Sequence, residues 1–278
     1  MTTDLTALAR SRRVADRVAA AADPAAAAEL VVRLASDPSP AVRRAAATSG
    51  FPEVLAMLAT DPDRKTRQAV VTNPACPAPI LAVLIRDPHW SVRWEVPDHP
   101  NLDSEVIDAI RTSPDASLRQ LLAERSGLEV VVQRSLLADP APAVRAALAH
   151  RTQEPAILDA LVGDPDAEVR AATTDNPLLT AEQRHRLVGD PRANVRAALT
   201  MNTLLSEDEL EQLARDRSVV VRWWLATSPA TPDHVRERLL SDPDEGVTTQ
   251  AAAMLHQPQT DKASYRQHLA APVRGSWP

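Results

Sequence analysis

One cysteine, Cys76, occurs in 278 residues, which excludes an intrachain disulfide framework and any multi-cysteine metal site. Glycine is nearly as scarce. The six glycines are all isolated, so the chain has no glycine-rich loop to cradle phosphate. Aromatic residues are 3% of the sequence although 44% of it is hydrophobic. A core built from Leu, Val, Ile and abundant Ala follows, and such a core suits closely packed helices. Lysine occurs only at Lys65 and Lys262, so the cations are almost all arginine. No stretch approaches the roughly 18 uninterrupted apolar residues of a membrane helix. The opening MTTDLTALARSRRV carries early charge and no long apolar run. That argues against a secretory signal and for a soluble cytoplasmic protein.

Histidines stand at His89, His99, His150, His185, His234, His256 and His268, with no H-x-x-x-H or H-E-x-x-H spacing. With no G-x-S-x-G motif either, no metal, cofactor or catalytic residue is expected. The net charge is −6, unevenly spread: residues 101–178 hold 13 acids against 7 arginines. An acidic whole disfavours binding to a phosphate backbone without excluding a local basic groove.

What is present is a repeat. The phrase Asp-Pro-x-x-x-Val-Arg-x-Ala-Ala recurs, with variations, from markers at Asp37, Asp61, Asp87, Ser113, Asp139, Asp164, Asp190, Asp216 and Asp242. The markers follow one another at a nearly constant interval of about 25 residues, the size of one supersecondary unit that must stack on its neighbours to bury its apolar face. In the unit from Asp61, the Asp is positioned to cap a helix whose first residue is Pro62. The helix runs to about Asn73, where Pro74 ends it, and a second apolar segment follows around Ile80, Leu81 and Leu84.

Two columns form the expected apolar spine. One is Val42, Thr66, Val92, Leu118, Val144, Val169, Val195, Val221 and Val247; the other is Leu34, Leu58, Leu84, Ile110, Leu136, Leu161, Leu187, Leu213 and Leu239. No period-2 alternation calls for strands. The expected fold is all-α, a solenoid of about nine repeats over residues 23–257. A capping helix precedes it over 1–22, with Asp23-Pro24 as a degenerate first unit, and a cap and tail follow over 258–278.

The pattern resembles the leucine-rich repeat variant family, a helical solenoid in the style of HEAT-like repeats. Asp61-Pro62, Arg67, Asn73-Pro74, Pro77, Leu81 and Leu84 match its unit, as do Asp164-Pro165, Val169-Arg170 and Asn176-Pro177. The resemblance spans roughly residues 23–257. It implies a right-handed superhelix of α-helices alternating with short helical or 3₁₀ segments and no general activity; the high Ala and Arg content with almost no Lys suits a GC-rich, bacterial genome. Some relatives carry a cysteine-held iron–sulfur cluster, which a chain with only Cys76 does not match.

Three groups of residues invite a functional reading. Arg43, Arg67, Arg93, Arg119, Arg145, Arg170, Arg196 and Arg222 form a column, broken by Thr248. It reads either as a cationic surface for an anion or as a structural ladder bridging to the marker aspartates. Trp94 and Trp223 follow the Arg in a slot that elsewhere holds Arg44, Gln68, Gln120 or Ala146, and Trp90 lies on the same face as Trp94. Trp224 replaces a small core Ala. Unit three also departs from the pattern at Glu95, Pro97, Asp98 and His99. Pro97 shortens the helix, and the polar residues become either a site or solvated loop. Thr180–Gln183 and Ser206–Glu209 read as capping boxes.

The expected function is a non-enzymatic scaffold that binds a protein or peptide through Trp90, Trp94, Glu95, Asp98 and Trp223. A nucleic-acid-binding or alkylation-repair-like protein, in which Trp94 holds a flat base beside Glu95 or Asp98, is the alternative. Self-association through an exposed face is a third.

Overall fold

The computed structural model describes residues 4–202 and 204–256. The tail expected over 258–278 lies outside the described residues. Twenty α-helices and one 3₁₀ turn, Thr173–Asp175, occur among the described residues, with no strand. The chain divides into two compact units, Met1–Arg125 and Ser126–Pro278. Each is a run of helical repeats.

One repeat shows how the sequence sets the geometry. Asp61 does not cap the helix. Its Oδ1 accepts the N–H of Asp63 at 2.8 Å and closes a turn instead. The helix Arg64–Val71 starts two residues later than the sequence suggests, capped by Asp63, whose Oδ2 accepts the Thr66 N–H at 3.0 Å. Pro62 therefore precedes the helix. At the far end, Asn73 Oδ1 accepts the Ala75 N–H at 2.9 Å. Asn73 Nδ2 donates to the carbonyls of Ala47 and Ser49 in the preceding repeat, at 2.8 and 2.7 Å. The chain then turns through Pro74 and Pro77 into the helix Ala78–Leu84. The second segment is α-helical, as it is in the other repeats. The 3₁₀ form that the family resemblance offers appears only at Thr173–Asp175 among the described residues.

Both spine columns are buried throughout, including Thr66, whose hydroxyl donates to Asp63 Oδ2 at 2.9 Å. The alanine positions beside the spine (Ala45, Ala69, Ala147, Ala172, Ala198) are buried or half-buried, which lets neighbouring helices approach closely.

The amino-terminal segment differs from expectation. The described residues up to Ala22 do not form one capping helix; two helices, Leu5–Ala9 and Val14–Ala22, are separated by Arg10 to Arg13. Ser11 stands one repeat interval before Asp37 and occupies the marker position of a full repeat. Asp23-Pro24 is that repeat's corner, since Asp23 Oδ1 accepts the Ala25 N–H at 2.8 Å just as Asn73 accepts that of Ala75. An Asp-Pro pair at the corner imitates the marker in sequence, which is why the sequence alone suggests the wrong phase here.

Repeat length varies only after the first helix. The second helix that follows Asp61 begins at Ala78. Its counterpart after Asp37 begins at Pro52, two positions sooner, and the one after Asp139 begins at Pro155, one position sooner.

Candidate functional site

The arginine column is engaged within each unit. Arg43 Nε and Nη2 donate to Asp61 Oδ2 and Oδ1 at 2.6 and 2.9 Å, and Arg43 Nη1 donates to the carbonyl of Asp37 at 2.9 Å. Each guanidinium thus holds its own marker by the main chain and the next marker by the side chain. Seven rungs share this fork: Arg17–Asp37, Arg43–Asp61, Arg67–Asp87, Arg145–Asp164, Arg170–Asp190, Arg196–Asp216 and Arg222–Asp242. Parallel charge-assisted bonds of this kind fix orientation as well as distance. Arg119, also buried, donates Nη1 to the Ser113 carbonyl at 2.6 Å. Arg17, absent from the column as read in sequence, belongs to it through the Ser11 marker.

The aspartates respond electrostatically. Burial pushes the carboxyls of Asp37, Asp87 and Asp216 up. The arginine hydrogen bond, a backbone N–H two residues on and the neighbouring guanidinium charge outweigh it and hold each below its ordinary value. For Asp242 the Arg222 bond dominates from the start, again lowering it. These seven rungs are electrically paired, with little charge left on them for an outside anion.

Repeat three breaks the pattern in several ways at once. Its first helix, Trp90–Arg93, is four residues long. Pro97 has no N–H to give and would clash with the Arg93 carbonyl, so Val96 N–H bonds that carbonyl in a tighter turn at 3.2 Å. Pro97 itself is buried, and Arg125 Nη1 donates to the carbonyls of Pro97 and His99 at 3.3 and 2.9 Å.

His99 is not a solvated loop residue. It is 5% exposed and sits in the corner slot that Asn73 fills one repeat earlier. Its Nε2 lies 3.0 Å from the Asn73 carbonyl and its Nδ1 accepts the Asn101 N–H at 3.1 Å. A proton on Nε2 and a bare Nδ1 satisfy both contacts. Asn101 Nδ2 adds a second tie to the preceding repeat, donating to the carbonyls of Pro74 and Cys76 at 2.8 and 3.0 Å.

The short helix leaves two tryptophans at the surface. Trp90 is 64% and Trp94 45% exposed, and their rings meet edge to face at 6.3 Å between centroids. Glu95 is half-buried with Gln68 Nε2 at 3.4 Å, and Asp98 is exposed. Trp223 and Trp224 differ: both are half-buried, packed edge to face at 5.1 Å and lying against the core of the second unit. The structure therefore groups Trp90, Trp94 and Glu95 on one repeat and places Trp223 elsewhere.

Sequence reasoning missed several working residues. Arg236 is 1% exposed and donates Nη2 to the Ser228 carbonyl at 2.6 Å and Nη1 to Asp233 Oδ1 at 2.8 Å. Asn176 donates to the carbonyls of Ala149 and Thr152 at 2.7 and 3.0 Å, as Asn73 does in the first unit. The Asn-Pro pair was the available signal. Both capping boxes, Thr180 with Gln183 and Ser206 with Glu209, are present. Among the described residues no three His, Cys, Asp or Glu side chains gather in a way that could hold a metal ion, and no helix is long and apolar enough to cross a membrane.

No protein-family model matches the chain, and no curated protein sequence matches it. Among solved structures it is similar to a leucine-rich repeat variant with a novel repetitive structural motif, at 24% identity and a TM-score of 0.56. That match covers 78% of this chain and 87% of the other. A designed armadillo repeat protein in complex with the peptide (KR)4 aligns at 16% identity over 90% of this chain and 96% of its own, with a TM-score of only 0.17. The likeness to the leucine-rich repeat variant establishes a helical repeat fold.

Proposed function

We propose that the protein is a non-catalytic repeat scaffold that binds a protein or peptide partner, with Trp90 and Trp94 as the anchor. The observation that carries this reading is the pair of large indole side chains left at the surface in a chain with only 3% aromatic residues. Two exposed rings in mutual edge-to-face contact present rigid apolar area at small entropic cost, which is what binding hot spots use. Glu95 and Asp98 supply polar rim on the same repeat. Trp223 contributes to core packing in this reading, since it is half-buried against Trp224.

Replacement of both residues, Trp90→Ala with Trp94→Ala, tests the proposal. Exposed positions tolerate such changes within about 0.5 kcal/mol each, so the helical signal and melting temperature stay close to wild type. Capture of a partner protein from a lysate is lost with the pair. A double variant that unfolds, or that retains the partner, refutes the anchor. Binding to nucleic acid has less support: of the arginines that motivated it, Arg43, Arg67, Arg145, Arg170, Arg196 and Arg222 are occupied by Asp61, Asp87, Asp164, Asp190, Asp216 and Asp242.

A further inference from the structure

Repeat three carries a second anomaly, on the ladder itself. Arg93 adopts the pose of every other rung, with Nη1 donating to the carbonyls of Asp87 and Pro88 at 2.7 and 3.2 Å. Arg67 does the same to Asp61 and Pro62 at 2.7 and 3.4 Å. For Arg67 the fork continues into Asp87. For Arg93 the next marker is Ser113. Ser113 keeps half of the marker's work, because its Oγ accepts the Asp115 N–H at 3.1 Å and closes the turn. It has no carboxylate to give to Arg93.

The space in front of the Arg93 fork is a cleft of about 420 Å³, lined among others by Arg86, Asp87, Arg93, Thr112, Ser113 and Asp115. Arg93 meets no carboxylate closer than Asp115, at 3.8 Å from Nη2 to Oδ2, among the described residues. Asp115 Oδ1 accepts the Ser117 N–H at 3.0 Å to cap the following helix, and its Oδ2 stays outside hydrogen-bond distance of Arg93. Asp87 is committed to Arg67 by bonds of 2.6 and 3.0 Å. Of the two arginines and two aspartates lining the cleft, Asp87 is thus engaged by Arg67 and Arg86 Nη1 donates to the Ala82 carbonyl at 2.6 Å, while the Arg93 fork has no carboxylate within hydrogen-bond distance.

We propose that this cleft is a carboxylate-binding site, in which a ligand carboxylate takes from Arg93 Nε and Nη2 the two parallel bonds that the chain's own aspartates take in the seven rungs described above. The Ser113 hydroxyl, accepting from Asp115, has its proton free to donate to the same group. The geometry selects carboxylate because the protein itself shows which ion fits this fork, at 2.6 to 3.1 Å in Arg17–Asp37 and Arg67–Asp87 alike. The site stands independently of the tryptophan anchor. The carboxylate has two sources, a small free acid or an acidic side chain of a partner.

Arginine side-chain NMR on the full chain separates these. The Arg93 Nε–H signal is assigned by Arg93→Lys and followed during titration with glutarate, and in parallel with the peptide acetyl-Ala-Asp-Ala-amide. The control is Ser113→Asp, which installs the residue that the other rungs carry and so fills the fork from within while preserving the fold. The expected result is a saturable shift of Arg93 alone in wild type, weakened about tenfold or more in Ser113→Asp. Ser113→Asp also melts at higher temperature than wild type. Saturation by both probes assigns the site to carboxylate whatever carries it; saturation by glutarate alone assigns a small acid, and by the peptide alone an acidic side chain. No saturable shift with either probe, or an equal shift in Ser113→Asp, overturns the proposal.

Discussion

Arg67 reaches into the next repeat and grips Asp87 with two parallel bonds, 2.6 Å from Nε and 3.0 Å from Nη2, while its third nitrogen holds the Asp61 carbonyl at 2.7 Å. Both partners are largely buried, with side-chain exposures of 12% and 3%. Removing one partner of such a pair strands the other's charge, whereas two charges withdrawn together leave no such debt. Asp87→Ala is therefore expected to cost about 3 kcal/mol, read from chemical denaturation. Ser113→Ala, at the same position one repeat on, should cost about 1 kcal/mol or less, because it breaks only a turn hydrogen bond.

Acid should unfold the protein through the same rungs. The carboxyls of Asp37, Asp87, Asp216 and Asp242 lie below their ordinary value of 3.8 in the folded state, so the unfolded chain binds protons first. Their contribution is complete above that ordinary value and disappears as pH falls through the lower folded values. Melting temperature is thus expected to be flat with respect to these groups from neutral pH down to about 5, then to drop steeply below about 4. In Asp87→Asn the drop is shallower. A pH series of thermal melts followed by circular dichroism checks both.

Cys76 should be inert in the native state. Burial pushes its thiol up to about 12, and the side chain is inaccessible. The thiolate is the reactive form. Labelling with a chromogenic disulfide is expected to be very slow at pH 7 and to become immediate and stoichiometric in denaturant.

The corner asparagines bear a load comparable to a rung. Asn176 Nδ2 donates to two carbonyls of the preceding repeat and its Oδ1 accepts the Leu178 N–H at 2.9 Å. Asn176→Ala leaves two buried carbonyls without that donor and should cost about 2 to 3 kcal/mol. The unfolding midpoint in urea measures it.

Much of this is readable from the chain. The Val and Leu columns recur at a nearly constant interval, and a position that stays apolar in every unit, or in every unit but that of Thr66, has to face the core. The direction of the ladder is not readable. Arg43 lies 6 residues after Asp37 and 18 before Asp61, and the interval alone does not say that the carbonyl of one and the carboxylate of the other are its partners. His99 is legible in principle, since it stands at the same distance after Asp87 as Asn73 does after Asp61. A histidine among Pro97, Asp98 and Pro100 nevertheless looks like loop, whereas its ring nitrogens reproduce an asparagine's donor and acceptor. Arg236 gives no signal, because a charged residue on an amphipathic helix is ordinarily at the surface. At the candidate site, the sequence locates Trp90 and Trp94; their mutual contact and the separate packing of Trp223 require coordinates.

The unequal corners carry a consequence for how such a chain can change. Two residues fewer between the Asp37 marker and the second helix of its repeat leave the Arg43–Asp61 bonds at 2.6 and 2.9 Å, matching the 2.6 and 3.0 Å of the longer repeat. One residue fewer after Asp139 leaves Arg145–Asp164 at 2.7 and 2.9 Å. The ladder acts as a caliper: the count from marker to arginine is fixed, and the corner is the slack. Growth, loss and grafting of residues belong at the corners, where spacing between repeats is gauged by chemistry and not by chain length.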